Sequence, residues 1–281
     1  MRDLGLKHNK ISELWKAGRL LGGKTQVELS RALHISQSSI SKYETLGLEP
    51  SATDWYNFCQ FVGIDAHKTL QLGYIDGKKK FKHRLFGDSN FRLPLRYKRD
   101  FSLKIRELIP FKECLVAELG LATWLEFLTE SEVDKEMFLV YDYQVSLDLL
   151  NDLISWCDER DFSILERVQK YSGMFSSHGI LHEEYARKKK PSELLMAMLE
   201  DQVYYHRVFR TEVTSDEKSL GASLQVTPEA QDFFDDSELS QFLHYKIMSF
   251  QQALRVNLNY TQDFEIEPGA DPASIYVKVA V

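Results

Sequence analysis

The sequence predicts a two-part chain: an all-α N-terminal domain of about five helices, then a larger α+β domain with an antiparallel sheet. Up to about Gly73 the residues read as short helices with brief turns, whereas beyond Phe91 helical stripes mix with alternating strand patterns. Between them lies "YIDGKKKFKHRLFGDSN", with Gly77, Gly87 and the basic run Lys78, Lys79, Lys80, Lys82 and Arg84, and with little apolar periodicity. Charge divides at the same place. Residues 1–90 hold 14 Lys and Arg against 9 Asp and Glu, or +5, and residues 91–281 hold 21 against 33, or −12. The expected organisation is a head over residues 1–73, a basic linker over 74–90 and a body over 91–281. A basic head on an acidic body points to a polyanionic partner for the head alone.

Three cysteines, Cys59, Cys114 and Cys157, are scattered without a C-x-x-C pair. That usage argues against a disulfide framework or a structural zinc site and fits a reducing cytoplasm. The N-terminus, "MRDLGLKHNK", has no apolar signal core, and no apolar run is long enough for a membrane span. A cytoplasmic protein without a membrane partner is expected.

The head begins with Ile11, Leu14 and Trp15 at i, i+3 and i+4, a helical stripe. "GRLLGGKT", Gly18 to Thr25, then matches the phosphate-loop pattern G-x-x-x-x-G-K-[ST]. A nucleotide loop, however, follows a buried strand and needs small residues where phosphate approaches the backbone. Here a helical stripe precedes it, and Arg19, Leu20 and Leu21 are bulky, so a turn between helices is the better reading. Thr25 with Glu28 three residues later is a capping box ahead of Val27, Leu29, Ala32 and Leu33. "HIS" makes a short turn, and "QSSISKYE" begins a second helix with Ser36 as its N-cap. Two helices across a tight turn, the second short and polar, form a helix-turn-helix, which lays its second helix in the DNA major groove. Phe58, Phe61 and Val62 follow helical spacing, and Ala66 to Leu72 can make one further short helix.

The run from Leu14 to Ile64 resembles the phage-repressor, Cro-like (Xre-type) helix-turn-helix family of bacterial regulators. Arg19, Gly23, Thr25, Gln26, Leu29, Ser36, Ile40, Glu44 and Gly63-Ile64 occupy the places of that family's pattern, and the resemblance covers about residues 10–73. Ser30 and Ala32 supply the small residues expected where the two helices cross. The resemblance implies that Gln37 pairs with adenine, and that Arg19 and Glu44 form a structural ion pair between the first helix and the end of the reading helix. Ser38 and Lys42, one turn apart on the same face, can reach base edges, and Lys42 suits guanine or a phosphate equally. Lys24, Gln26, Ser36 and Ser39 are expected phosphate ligands. Ile40 and Tyr43 point back to the core.

The body offers no catalytic signature. "HEEYA" (His182 to Ala186) lacks the second His of H-E-x-x-H, and His178 with His182 has no third ligand fixed by spacing. Ser223 in "GASLQV" has no placed Lys partner for self-cleavage. No catalytic residue, metal or cofactor is expected. "FRLPLRYKRDFSLKIRELI" suggests an extended entry and a helix, and "SLDLLNDLISWCDER" and "ELSQFLHYKIMSFQQALRVNL" are helices with broad apolar faces. "VYYHRVFRTEVTS" and "LGASLQVTP" read as strands. Phe264 and Ile266, then Ile275, Val277, Val279 and Val281, alternate as a closing hairpin. This order resembles small-molecule sensory domains of bacterial regulators, although no motif is shared with them. Phe101, Phe111, Trp124, Phe127, Tyr141, Tyr143 and Trp156 are either core or the lining of a pocket for an unknown ligand.

The function expected is sequence-specific transcription regulation by a homodimer on double-stranded DNA. The body would serve dimerisation, with a small-molecule effector as a further partner. The alternatives are a DNA-binding head fused to an enzymatic domain, or a protein-interaction module.

Overall fold

A computed structural model describes residues 11–75, 89–99, 103–168, 170–171, 188–205, 209–215, 219–231, 236–258, 265–268 and 274–280. An N-terminal set of five helices precedes a larger region of helices and small antiparallel sheet, as the residue patterns predict. The chain divides into two compact units, Met1–Arg99 with Leu128–Val145 and Asp100–Phe127 with Ser146–Val281.

The first unit opens with α1 (Ile11–Leu21), α2 (Gln26–Leu33), α3 (Gln37–Thr45), α4 (Ala52–Val62) and α5 (Ala66–Leu72). Each helix from α2 to α5 starts where a short polar side chain caps it. Thr25, Ser36, Ser51 and Asp65 accept from the backbone N–H three residues on, which satisfies donors that have no intrahelical partner. Gly63 closes α4 at φ 83°, a left-handed conformation that glycine adopts without a Cβ clash. α2 ends the same way on His34 at φ 55°, so no glycine announces that stop.

The core of these helices forms around Trp15, which stacks on Phe58 at 4.1 Å and meets Tyr43 edge-on at 5.3 Å. Leu14, Leu21, Leu29 and Ile40 are buried with it. α1 approaches α4 through Gly18, where a Cβ would lie 3.0 Å from Phe58 Cζ and 3.3 Å from Ile64 Cδ1. Residues 89–99 and 128–145 complete the unit with a 3-10 turn at Leu95–Lys98, a second at Lys135–Leu139 and the two-residue strand Gln144–Val145. Tyr141 and Tyr143 therefore sit in the unit of the N-terminal helices, where Tyr141 stacks on Tyr74 at 4.0 Å and Tyr143 meets Phe91 edge-on.

The second unit contains the two-residue strand Leu103–Lys104, then α6 (Ile105–Leu119), the first part of α7 (Leu121–Glu130), α8 (Asp148–Asp158) and α9 (Ile164–Val168). After these come α10 (Pro191–Tyr205), α11 (Pro228–Gln231) and the long α12 (Asp236–Leu258). Its sheet has four antiparallel strands, β1 (Phe209–Ser215), β2 (Ser219–Val226), β3 (Glu265–Pro268) and β4 (Ser274–Ala280), in the order β1-β2-β4-β3. Ala222, Leu224 and Val226 alternate inward along β2 and pack beneath helices, with α12 against β2 and β4 and α10 against β1. The segment "VYYHRVFRTEVTS" divides differently from the expectation of one strand: Val203 to Tyr205 finish α10, and the strand starts at Phe209. Three consecutive β-favouring residues there extend a helix already nucleated from Pro191, so local propensity loses to continuation.

On α12, Leu239, Phe242, Leu243, Ile247 and Phe250 are buried and form the broad apolar face expected of this helix. Phe111, Trp124, Phe127 and Trp156 are buried side chains of this unit, and Phe101 lies outside the described residues. Lys246 of α12 donates to Glu107 of α6 in an ion pair whose side chains are 3% and 4% exposed. Tyr245, beside that pair and fully buried, has its phenol pKa pushed well above the ordinary value, by burial first and by the Glu107 charge second.

All three thiols are buried and free, and burial is the main cause that raises each pKa to about 12. The thiolate is the reactive form, so the native chain should alkylate at neutral pH only as fast as it opens. A thiol titration should therefore give three slow equivalents that become fast in denaturant. An immediate equivalent from the native protein would contradict this burial.

Candidate nucleic-acid interface

The turn from α2 to α3 is fixed by side chains that also set which residues face outward. Ser30 Oγ in α2 donates to Ile35 O at 2.6 Å, which pins the turn. Ser36 Oγ accepts from Ser39 N at 3.0 Å and pairs with Ser39 Oγ at 2.8 Å. α3 then buries Ile40 completely and half-buries Tyr43, whose hydroxyl donates to Asp54 Oδ2 at 3.3 Å. Burial first, and the Asp54 charge second, raise the Tyr43 pKa, so it stays a donor. With Ile40 inward, Ser38 and Lys42 are exposed on the opposite side of α3, and Gln37 is exposed in its first turn.

Two groups behind α3 hold its end. Arg19 Nε donates to Glu44 Oε1 at 2.5 Å and Arg19 Nη2 to Glu44 Oε2 at 2.6 Å, a bidentate pair with side chains 10% and 2% exposed. Arg19 Nη1 also donates to Lys24 O at 2.8 Å, so the same guanidinium fixes the α1–α2 turn. Gln26 Nε2 donates to Glu44 Oε2 at 3.0 Å, so the side chain expected at a phosphate is turned inward onto the ion pair. No local pattern announces this third partner, because Gln26 lies 18 residues from Glu44.

Lys24 and Thr25 lead into α2. Lys24 Nζ lies over the Phe61 ring, 5.6 Å from its centroid. Thr25 N donates to Glu28 Oε2 at 2.8 Å while Glu28 N donates to Thr25 Oγ1 at 3.1 Å, which completes the capping box. Those bonds to Thr25, the backbone one first, lower the Glu28 carboxyl pKa. Gly18 to Leu21 are helical and Gly22-Gly23 form the turn, so the phosphate-loop pattern is occupied by the end of α1 and a loop. Ala32, expected at the helix crossing, is exposed, and Leu29 is the buried contact of α2. His178, His182 and "HEEYA" lie outside the described residues, and Ser223 sits within β2 opposite Tyr276. Among the described residues no helix is long and apolar enough to cross a membrane.

No curated relative matches the chain. Solved structures with some likeness include the unliganded Fe(II) H-NOX protein from K. algicida, at 15% identity over 64% of this chain and 97% of that one, TM-score 0.46. Another is an H-NOX protein from S. oneidensis in the Fe(II)NO state, at 12% identity over 64% and 99%, TM-score 0.45. Likeness this distant assigns nothing to the chain. Residues 16–67, in contrast, match the helix-turn-helix family model, and they span α1 to the start of α5. With α2, the Ser30-pinned turn and α3 in place, the N-terminal region of this chain is a helix-turn-helix of the Xre, Cro-like family, and it supports DNA binding.

Proposed function

We propose that the protein is a cytoplasmic, sequence-specific transcription regulator that binds double-stranded DNA as a homodimer. In this reading residues 1–73 bind DNA and residues 74–90 are a basic linker, most of which lies outside the described residues. Residues 91–281 serve dimerisation and the sensing of a small molecule. The observation that carries it is the exposure of Gln37, Ser38 and Lys42 on α3, with Ile40 and the Arg19–Glu44 pair holding that helix in place.

Gln37 and Ser38, in the first turn of α3, read base edges, and Lys42 takes guanine or a phosphate. Ser36 and Ser39 retain acceptor and donor capacity beyond their mutual bond and meet the backbone together with Lys24. Gln26 contributes through its N–H in the first turn of α2, where no intrahelical acceptor exists. A homodimer places two reading helices on half-sites about one helical turn apart.

Gln37→Ala should weaken binding to the preferred duplex by roughly 1–3 kcal/mol and leave binding to random duplex nearly unchanged. Titration of both duplexes at one salt concentration checks this. An equal loss on both would make Gln37 a backbone ligand and not a reader.

A further inference from the structure

Residues 128–145 are remote in sequence from the helix-turn-helix, yet they pack in its unit. Lys16 Nζ of α1 donates to Glu136 Oε1 at 2.7 Å, with side chains 33% and 6% exposed. Ile75 N, just after α5, donates to Leu139 O at 2.8 Å and forms a parallel bridge with Val140. Arg92 N donates to Asp134 Oδ2 at 2.7 Å, and Asn90 N, two residues earlier, donates to Leu20 O at the end of α1. Met137, Leu139 and Val140 are buried, so the segment adds core as well as polar contacts.

α1 is the helix these contacts share with the reading machinery. Lys16 and Arg19 are three residues apart and so lie on adjacent turns of one face. Arg19 in turn holds Glu44 at the end of α3. A continuous series of contacts therefore runs from Glu136 through Lys16 and α1 to Arg19, Glu44 and α3. Exposed surface pairs contribute little to stability, but Glu136 is nearly buried, so loss of its cation is felt.

We propose that residues 128–145 form a strap that positions the reading helix through α1, seated there by its buried apolar side chains as long as Lys16 neutralises Glu136. The consequence for DNA rests on the regulator reading above, whereas the mechanical link does not. In sequence the strap adjoins the second unit at 127/128 and at 145/146.

The test uses the full chain and two variants, Lys16→Met and Lys16→Met with Glu136→Gln. In DNA-free protein, Lys16→Met should speed hydrogen exchange several-fold in 135–140, in α1 and in α3. The double variant, which no longer holds an uncompensated carboxylate, should return those rates to within about twofold of the parent. On a duplex selected by the wild-type protein, affinity should fall roughly tenfold in the single variant and largely recover in the double. Faster exchange confined to 135–140, with α3 unchanged, would overturn the positioning role and leave the segment as mere packing. Lost affinity that the double variant fails to recover would overturn it too, by making Lys16 a phosphate ligand. If Lys16→Met does not fold, the milder Lys16→Gln, which also removes the ammonium and leaves Glu136 charged, is read the same way. Coupled exchange in a protein that binds no duplex would sustain the strap and refute the regulator reading.

Discussion

Arg19→Ala should lower the stability of the N-terminal helices by about 3–5 kcal/mol, the range for removing one partner of a buried pair. The size follows from what the guanidinium serves. It makes both bonds to a Glu44 side chain that is 2% exposed, and it also donates to Lys24 O at the α1–α2 turn. Without it, Gln26 Nε2 still donates to a carboxylate shut away from water, but brings no positive charge. An uncompensated buried charge is costlier than the pair is favourable, so Arg19→Ala with Glu44→Leu should recover part of the loss. Arg19→Lys should not restore the parent, since an ammonium cannot make the two-pronged contact. A loss of this size is a large fraction of the about 5–15 kcal/mol that stabilises a domain, so α1, α2 and α3 should lose hydrogen-exchange protection first. Parent-like protection in Arg19→Ala would refute the structural role.

Lys246→Met should have an effect of the same order, about 3–5 kcal/mol, in the other unit. Glu107 would keep its charge in a site 4% exposed, with the ammonium of α12 gone. The neighbourhood cannot hydrate it, because Phe111, Phe242 and Tyr245 crowd the same place and Tyr245 is fully buried. Replacing both partners, Lys246→Met with Glu107→Leu, should restore most of the stability, since well-packed apolar groups substitute for a buried pair at little cost. Denaturant titrations of the parent, single and double variants check this. A single variant as stable as the parent would show that water reaches the pair.

The contrast between these sites explains what was legible in the residues. Caps, turns and the face of α3 are local, so Thr25 with Glu28, Ser36 with Ser39 and the buried Ile40 could be placed from spacing alone. Arg19 with Glu44 came from the family resemblance, since 25 residues separate the two. Lys246 with Glu107, 139 residues apart, and Lys16 with Glu136, 120 apart, follow no local period. "KEMFLVYDY" has neither a helical nor a strand repeat, and only tertiary packing tells where its Tyr141 and Tyr143 go. The end of α2 falls at the expected "HIS" turn, although His34, a non-glycine residue, fills a conformation usually flagged by glycine. "GRLLGGKT" misled: a short pattern matched while its structural context, a helix in place of a strand, did not.

The most direct test of the regulator reading is selection of bound duplexes from a random pool by the full-length protein, followed by titration of the winner against salt. The expected result is an enriched, two-fold-symmetric sequence with half-sites about one helical turn apart, bound with an affinity that falls steeply as salt rises. No enrichment, together with no salt-dependent binding to any duplex, would contradict it.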